Sequence, residues 1–160
     1  MALPAGIPTF VADLEAIDKA AYPTVKEAAD AFASAFASFL GFGQLQGTPV
    51  TPGSNLGPSG VEACAAALIP AFTAPNTPVS SSASMQAAFL AYFNSMPVSS
   101  MWSIASAIAP AVPTLGSILT VSMVPGISGP KAKLANGIMQ WLTTGAPVTL
   151  NVAPWTAFIV

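Results

Sequence analysis

The sequence lacks histidine and arginine, and it contains a single cysteine among its 160 residues. Histidine is the commonest general acid or base in catalysis, and arginine is the usual clamp for phosphate and carboxylate groups. Four lysines are too few for the basic surface that displaces counterions from nucleic acid. The composition therefore argues against an enzyme and against nucleic acid as a partner.

The sequence also lacks the usual motifs of metal and cofactor sites. No histidines and cysteines have the spacing of zinc ligands, and no glycine-rich loop precedes the lysine that would bind phosphate. Cys64 has no basic neighbour in the sequence to favour its thiolate. We therefore predict no catalytic residue, no cofactor and no metal, and we expect Cys64 to be a small buried side chain.

Charged residues are scarce and unevenly placed. They make up 6% of the chain, against about 25% in an ordinary globular domain. Residues 13–30 carry most of them, and only Lys131 and Lys133 follow Glu62. A soluble surface usually has about a quarter to a third charged residues. The sequence therefore predicts that partner chains or lipid cover part of the surface.

The few charges have structural interpretations. The acidic residues between 13 and 30 fit the solvated faces of two amphipathic helices, and Glu62 fits the favourable first turn of a third. Lys131 and Lys133 fall at a predicted helix N-terminus, where positive charge is disfavoured. Either a partner's carboxylate or simple solvation could offset that cost.

Sixteen prolines and twelve glycines divide the chain into short units. Within each unit, apolar residues recur every three or four positions, which is typical of amphipathic helices. The predicted fold is all-α, with about seven short Pro-punctuated helices in an irregular bundle. Their approximate ranges are 8–21, 23–40, 58–72, 82–96, 100–109, 113–123 and 130–144.

The end of the chain follows a different pattern. We predict a helical domain at 1–145, with an irregular connector at 41–60, and an extended C-terminal arm at 146–160. The arm is rich in β-branched and aromatic residues without helical period. An apolar terminus of this kind could add a strand to a neighbouring subunit or lie in a groove.

Aromatic side chains and two lysines are the candidate interface residues. Aromatics often dominate the energy of protein interfaces, and core packing is the alternative for each of them. The candidates are Phe32, Phe36, Phe39, Phe89, Tyr92, Phe93, Trp102, Lys131, Lys133, Trp141, Trp155 and Phe158.

The first functional interpretation is a non-enzymatic structural subunit of a large multi-subunit assembly. Our best guess is a bacteriophage virion protein (tail, baseplate or capsid accessory) or a related injection-particle protein. Low charge suits large dry contacts, so the expected partners are other protein subunits, in homo- and hetero-oligomers. The N-terminus does not resemble a signal peptide, so we expect assembly in the cytoplasm and a final location in a virion or extracellular particle.

The alternative is a membrane-inserting or pore-forming protein. A spanning helix needs about 20 mostly apolar residues in one run. Residues 99–123 come closest, but Pro110 and Pro113 interrupt them. The assembly therefore remains the favoured interpretation.

Overall fold

Five α-helices carry the core in the part of the chain that the structure describes. This computed structural model describes residues 3–47, 54–55, 60–73, 78–95, 104–107, 129–144, 148–150 and 157–159. A 3₁₀ turn, Leu3–Gly6, leads into the first helix. The helices are α1 (Ile7–Ala20), α2 (Val25–Leu40), α3 (Val61–Thr73), α4 (Pro78–Asn94) and α5 (Pro130–Thr144). The helical core predicted from the apolar periodicity is thus confirmed.

The predicted count of seven helices is not reproduced. The helix predicted at 100–109 is wrong over Ile104–Ala107, which form a strand. This strand pairs with Val148–Leu150, so hydrogen bonds to a distant segment replace those of a local helix. The helix predicted at 113–123 lies outside the described residues.

The start of α2 has a complete local signal. Thr24 is the N-cap: its hydroxyl accepts a hydrogen bond from the Glu27 backbone, and the Glu27 carboxylate accepts one from the Thr24 backbone. This capping box satisfies backbone donors that a helix start otherwise leaves free. Lys26, the second residue of α2, pairs with Asp30 at 2.6 Å, and this i,i+4 spacing is one that stabilises helices.

Pro70 and Pro78 lie within α-helices. Pro70 does not end α3, which continues through it to Thr73. Pro78 begins α4 and does not belong to a loop before it. The first helical position tolerates proline because its backbone N–H would have no helical partner.

Helix α2 is the centre of the aromatic core. Phe36 stacks on Phe89 of α4 with ring centroids 4.0 Å apart, and Phe39 stacks on Phe10 of α1 at 4.7 Å. Phe89 in turn contacts Trp141 of α5 at 6.0 Å. These ring contacts join four of the five helices. Because α2 is covered on several sides, its alanines at 29, 33, 35 and 37 are also buried.

Gly60 sets the distance between α3 and α4. Its backbone has a φ of +94°, which residues other than glycine rarely adopt. A Cβ at this position would lie 2.4 Å from the carbonyl oxygen of Tyr92. The close approach of the α3 N-terminus to α4 therefore requires glycine for two independent reasons.

Short antiparallel strands lie outside the helical core. They are β1 (Gln44–Gly47), β2 (Ser54–Asn55), β3 (Ile104–Ala107), β4 (Val148–Leu150) and β5 (Ala157–Ile159). One sheet has the order β2-β1-β5, and a second pairs β3 with β4. The 41–60 connector therefore contains a strand pair, since Leu45 pairs with Ser54 on one side and with Ile159 on the other.

The described parts of the predicted C-terminal arm pair within the chain. β5 joins β1, and β4 joins β3. For these residues, one strand edge pairs with the chain's own strands, and the expectation that the arm adds a strand to a neighbouring subunit stays a prediction. The boundary of the arm as a separate unit stays a prediction.

Candidate functional site

Two large apolar side chains are exposed at the surface of the described residues. Tyr22 is 38% exposed and Phe72 is 37% exposed, and no other large hydrophobic side chain is exposed among the residues whose side-chain burial the structure describes. Tyr22 lies between α1 and α2, and Phe72 lies in the last turn of α3. Both line one open groove, so the large exposed apolar side chains of this part of the chain are concentrated at one place.

The groove has a volume of about 380 Å³, within the range of about 300–1,000 Å³ that is typical of ligand clefts. Phe32 lies at its base and is only 6% exposed. The Phe32 ring meets the Phe72 ring edge to face, with centroids 6.0 Å apart. The lining is mostly apolar and consists of Leu14, Ile17, Asp18, Ala21, Tyr22, Ala28, Phe32, Phe72, Lys131 and Leu134.

The apolar stripes of the helices continue from the core into this groove. On α1, Leu14 is buried and Ile17 is half-buried; on α3, Leu68 is buried and Phe72 is exposed. Leu134 of α5 is also half-buried and lines the groove. On each of these helices, the apolar stripe therefore extends past the region that neighbouring helices cover.

One ion pair lies in the lining of the groove. The ammonium of Lys131, in the first turn of α5, donates a hydrogen bond to Oδ2 of Asp18 on α1 at 2.6 Å. This bond and the attraction of the Lys131 charge hold the pKa of the Asp18 carboxyl below its ordinary value, with a smaller contribution from Lys19. Asp18 is the more exposed partner, at 66% of its side chain against 32% for Lys131.

Lys131 thus obtains its carboxylate from within the chain. The sequence places this lysine at a disfavoured position and suggests a partner's carboxylate or simple solvation as the remedy. In the structure, Asp18 provides the negative charge. Lys133 is exposed on the same turn of α5.

Seven of the aromatic interface candidates lie in the chain's own core, as their core-packing alternative requires. Their neighbours on α1, α3, α4 and α5 cover them, so none is more than 6% exposed. Trp102 and Trp155 lie outside the described residues, and only the backbone of Phe158 is described, in β5. The core residues are Phe32, Phe36, Phe39, Phe89, Tyr92, Phe93 and Trp141.

Cys64 is also a core residue. Its side chain is fully buried on α3, and burial raises the pKa of the thiol to about 12. Because the thiolate is the nucleophilic form, a thiol with this pKa is almost entirely unreactive near neutral pH. The interpretation of Cys64 as a small buried side chain is confirmed.

The two exposed groove aromatics are not among the candidates from the sequence. Tyr22 is the second residue after α1, in the connection 21–24, where no helical period indicates whether a side chain is buried. Phe72 fits the apolar stripe of α3 and is predicted to face inward. A weak signal exists at both positions, since each lies near a helix end with a proline within two residues, Pro23 after Tyr22 and Pro70 before Phe72.

All six carboxylates of the chain lie on α1, α2 and the first turn of α3. These three helices hold only two of the four lysines, Lys19 and Lys26. With Lys131 and Lys133 on α5 included, the four helices around the groove carry six carboxylates and four lysines, a net charge of −2. Among the described residues, no set of three or more acidic, histidine or cysteine side chains is placed to hold a metal ion.

The helices of the described ranges all fall short of the length and apolar character that a bilayer span requires. In comparisons with known proteins, the chain matches no protein-family profile, no curated sequence and no solved structure.

Proposed function

We propose that this chain is a non-enzymatic structural subunit of a large protein assembly, and that the groove between α1, α2, α3 and α5 is a contact site for another subunit. A bacteriophage virion or a related injection particle is the kind of assembly that its very low charge favours. The observation that carries the proposal is the pairing of Tyr22 and Phe72 in one groove.

The contrast between the groove and the rest of the described surface supports a protein partner. Elsewhere, where their burial is described, the large apolar side chains of the helices are buried or half-buried, and the exposed residues are small or polar, such as Ala66, Ser34 and Ser38. Exposed aromatics that line a concave apolar site are typical of interface anchors. Covering Tyr22 and Phe72 would remove the largest exposed apolar side chains of this region from water.

The distribution of titratable groups supports a binding role over a catalytic one. Cys64 is buried with a raised pKa, and Asp18 has a lowered pKa that keeps it ionised. A general acid or base works best with a pKa near the operating pH. Neither group meets that condition, and Asp18 already has a cationic partner.

Recovery of the tagged chain from its native source, in buffer without detergent, tests the proposal. We expect companion chains to co-purify with the wild type and to be lost or reduced at least severalfold with Phe72→Ser. The matched control is Ala66→Ser, which changes an exposed residue on the same helix that does not line the groove. Equal recovery of companions with both variants would contradict the assignment of the contact site.

A further inference from the structure

We propose that the groove accepts a cationic side chain, an arginine or a lysine, from the partner subunit. This inference rests on the proposed function and names the chemistry of the partner. The aliphatic stem of the side chain lies between the exposed aromatics Tyr22 and Phe72, and its charged end lies beside Asp18.

Aromatic rings give the first reason. Tyr22, Phe32 and Phe72 all line the groove. The face of an aromatic ring carries partial negative charge and attracts ammonium and guanidinium groups, arginine more often than lysine. The same faces repel anions. The two exposed rings, Tyr22 and Phe72, therefore favour a cation on an apolar stem over an anion on the same stem, whereas Phe32 is too buried to contribute a free ring face.

Asp18 gives the second reason. Its Oδ2 accepts the bond from Lys131, and within the described residues no donor reaches its Oδ1. Two-thirds of the Asp18 side chain is exposed, whereas Lys131 is one-third exposed. An incoming cation therefore reaches the carboxylate more readily than an incoming anion reaches the ammonium.

The surrounding charges act in the same direction. The four helices around the groove, α1, α2, α3 and α5, contain six carboxylates and four lysines, so they carry the whole net charge of −2. An acidic face of this kind steers a basic partner during encounter. Lys131 is the opposing charge in the lining, and Asp18 neutralises it in place.

A long side chain also suits the shape. Lysine and arginine bury their aliphatic stems along apolar surfaces and leave their charged ends in a polar environment. The groove offers apolar walls from Ile17 and Leu134 beside the Asp18 carboxylate. A shorter or purely apolar side chain would leave the exposed oxygen of Asp18 without a new partner.

The test uses small probes and the full-length chain. Binding of n-butylguanidinium, neutral n-butylurea and pentanoate is followed by NMR shifts of the Tyr22 and Phe72 rings. We expect the guanidinium to bind about fivefold or more tightly than the urea, because ring and carboxylate contributions add, and pentanoate to bind least. Stronger or equal binding of the neutral or anionic probe overturns the inference, as does the absence of groove shifts with all three.

Two variants distinguish the contribution of the Asp18 carboxylate from that of the Phe72 ring. Asp18→Asn should reduce the preference for guanidinium over urea, and Phe72→Leu should reduce it while neutral binding is retained, since leucine keeps the apolar wall without the ring. An unchanged preference in both overturns the inference. If no cation preference exists but Phe72→Ser still releases companion chains, the inference fails and the proposed function stands.

Discussion

The Asp18 carboxylate and the Lys131 ammonium form an ion pair of 2.6 Å although they are 113 positions apart in the sequence. The pair joins the last turns of α1 to the first turn of α5 at the groove. It resolves the unfavourable position of Lys131 at a helix N-terminus. It also places a carboxylate at the N-terminus of α5, where negative charge is favoured.

Lys131→Met should raise the pKa of Asp18 toward its ordinary value, because its hydrogen bond and charge are the two largest causes of the lowered value. NMR titration of the Asp18 carboxyl carbon measures this. The control Lys26→Met removes the partner of Asp30 and should leave Asp18 unchanged. An Asp18 midpoint that does not respond to Lys131→Met would refute the pairing.

The same pKa determines the pH dependence of stability. The folded-state pKa of Asp18 is lower than its unfolded value, so the pair stabilises the native state at pH above the ordinary carboxyl range. That contribution is lost as the pH falls through the folded-state pKa. The wild type and Lys131→Met should therefore converge in urea midpoint at strongly acidic pH and differ near neutrality.

Gly60→Ala should destabilise the fold more than Gly129→Ala. Both glycines have nearly the same positive φ, +94° and +95°, but a Cβ at Gly60 meets the Tyr92 carbonyl and a Cβ at Gly129 meets nothing within 4 Å. The backbone cost of about 1–2 kcal/mol is common to both. Overpacking adds about 1–3 kcal/mol at Gly60 alone.

Urea unfolding of the two glycine variants supplies the comparison. Equal losses of unfolding free energy would show that the close approach of α3 to α4 does not exist in solution.

We expect Phe36→Ala to lower the free energy of unfolding much more than Phe72→Ala, because only Phe36 is a core residue. Phe36 is fully buried and stacks on Phe89 at 4.0 Å, so its truncation should cost about 3–5 kcal/mol of unfolding free energy. Phe72 is 37% exposed and should cost about 1 kcal/mol. Urea unfolding measures both, and a larger loss for Phe72 would mean that it belongs to the core.

Cys64 should resist alkylation in the native protein. Its side chain is fully buried, and its thiol pKa is raised to about 12, so both access and thiolate fraction are low. Iodoacetamide at neutral pH should modify it only after unfolding in urea. Labelling of the folded chain at the rate of the unfolded chain would contradict its place in the core.

The sequence predicts well those features of the helices that depend on residues close to one another along the chain. The apolar stripe of α2 depends on neighbours within one or two turns, and the structure contains it. Apolar periodicity likewise identifies Phe36 and Phe89 as inward-facing. That the two rings stack on each other depends on how α4 packs against α2, and periodicity does not predict that packing.

The groove could not be predicted in the same way. Periodicity shows that Phe72 belongs to the apolar face of α3, but the extent of neighbouring helices decides whether that face is covered. Tyr22 lies outside any helix, so no period applies to it. The Asp18–Lys131 pair depends on chain topology, which no local pattern encodes. Pairing of Ile104–Ala107 with β4 also overrides a local helical pattern.

The native size of the wild-type chain in dilute, detergent-free buffer tests the central claim most directly. Size-exclusion chromatography with light scattering should show a particle much larger than the 16.1 kDa chain, with companion chains identified in the same fraction. A well-behaved monomer without companion chains would contradict the account of this protein as an assembly subunit.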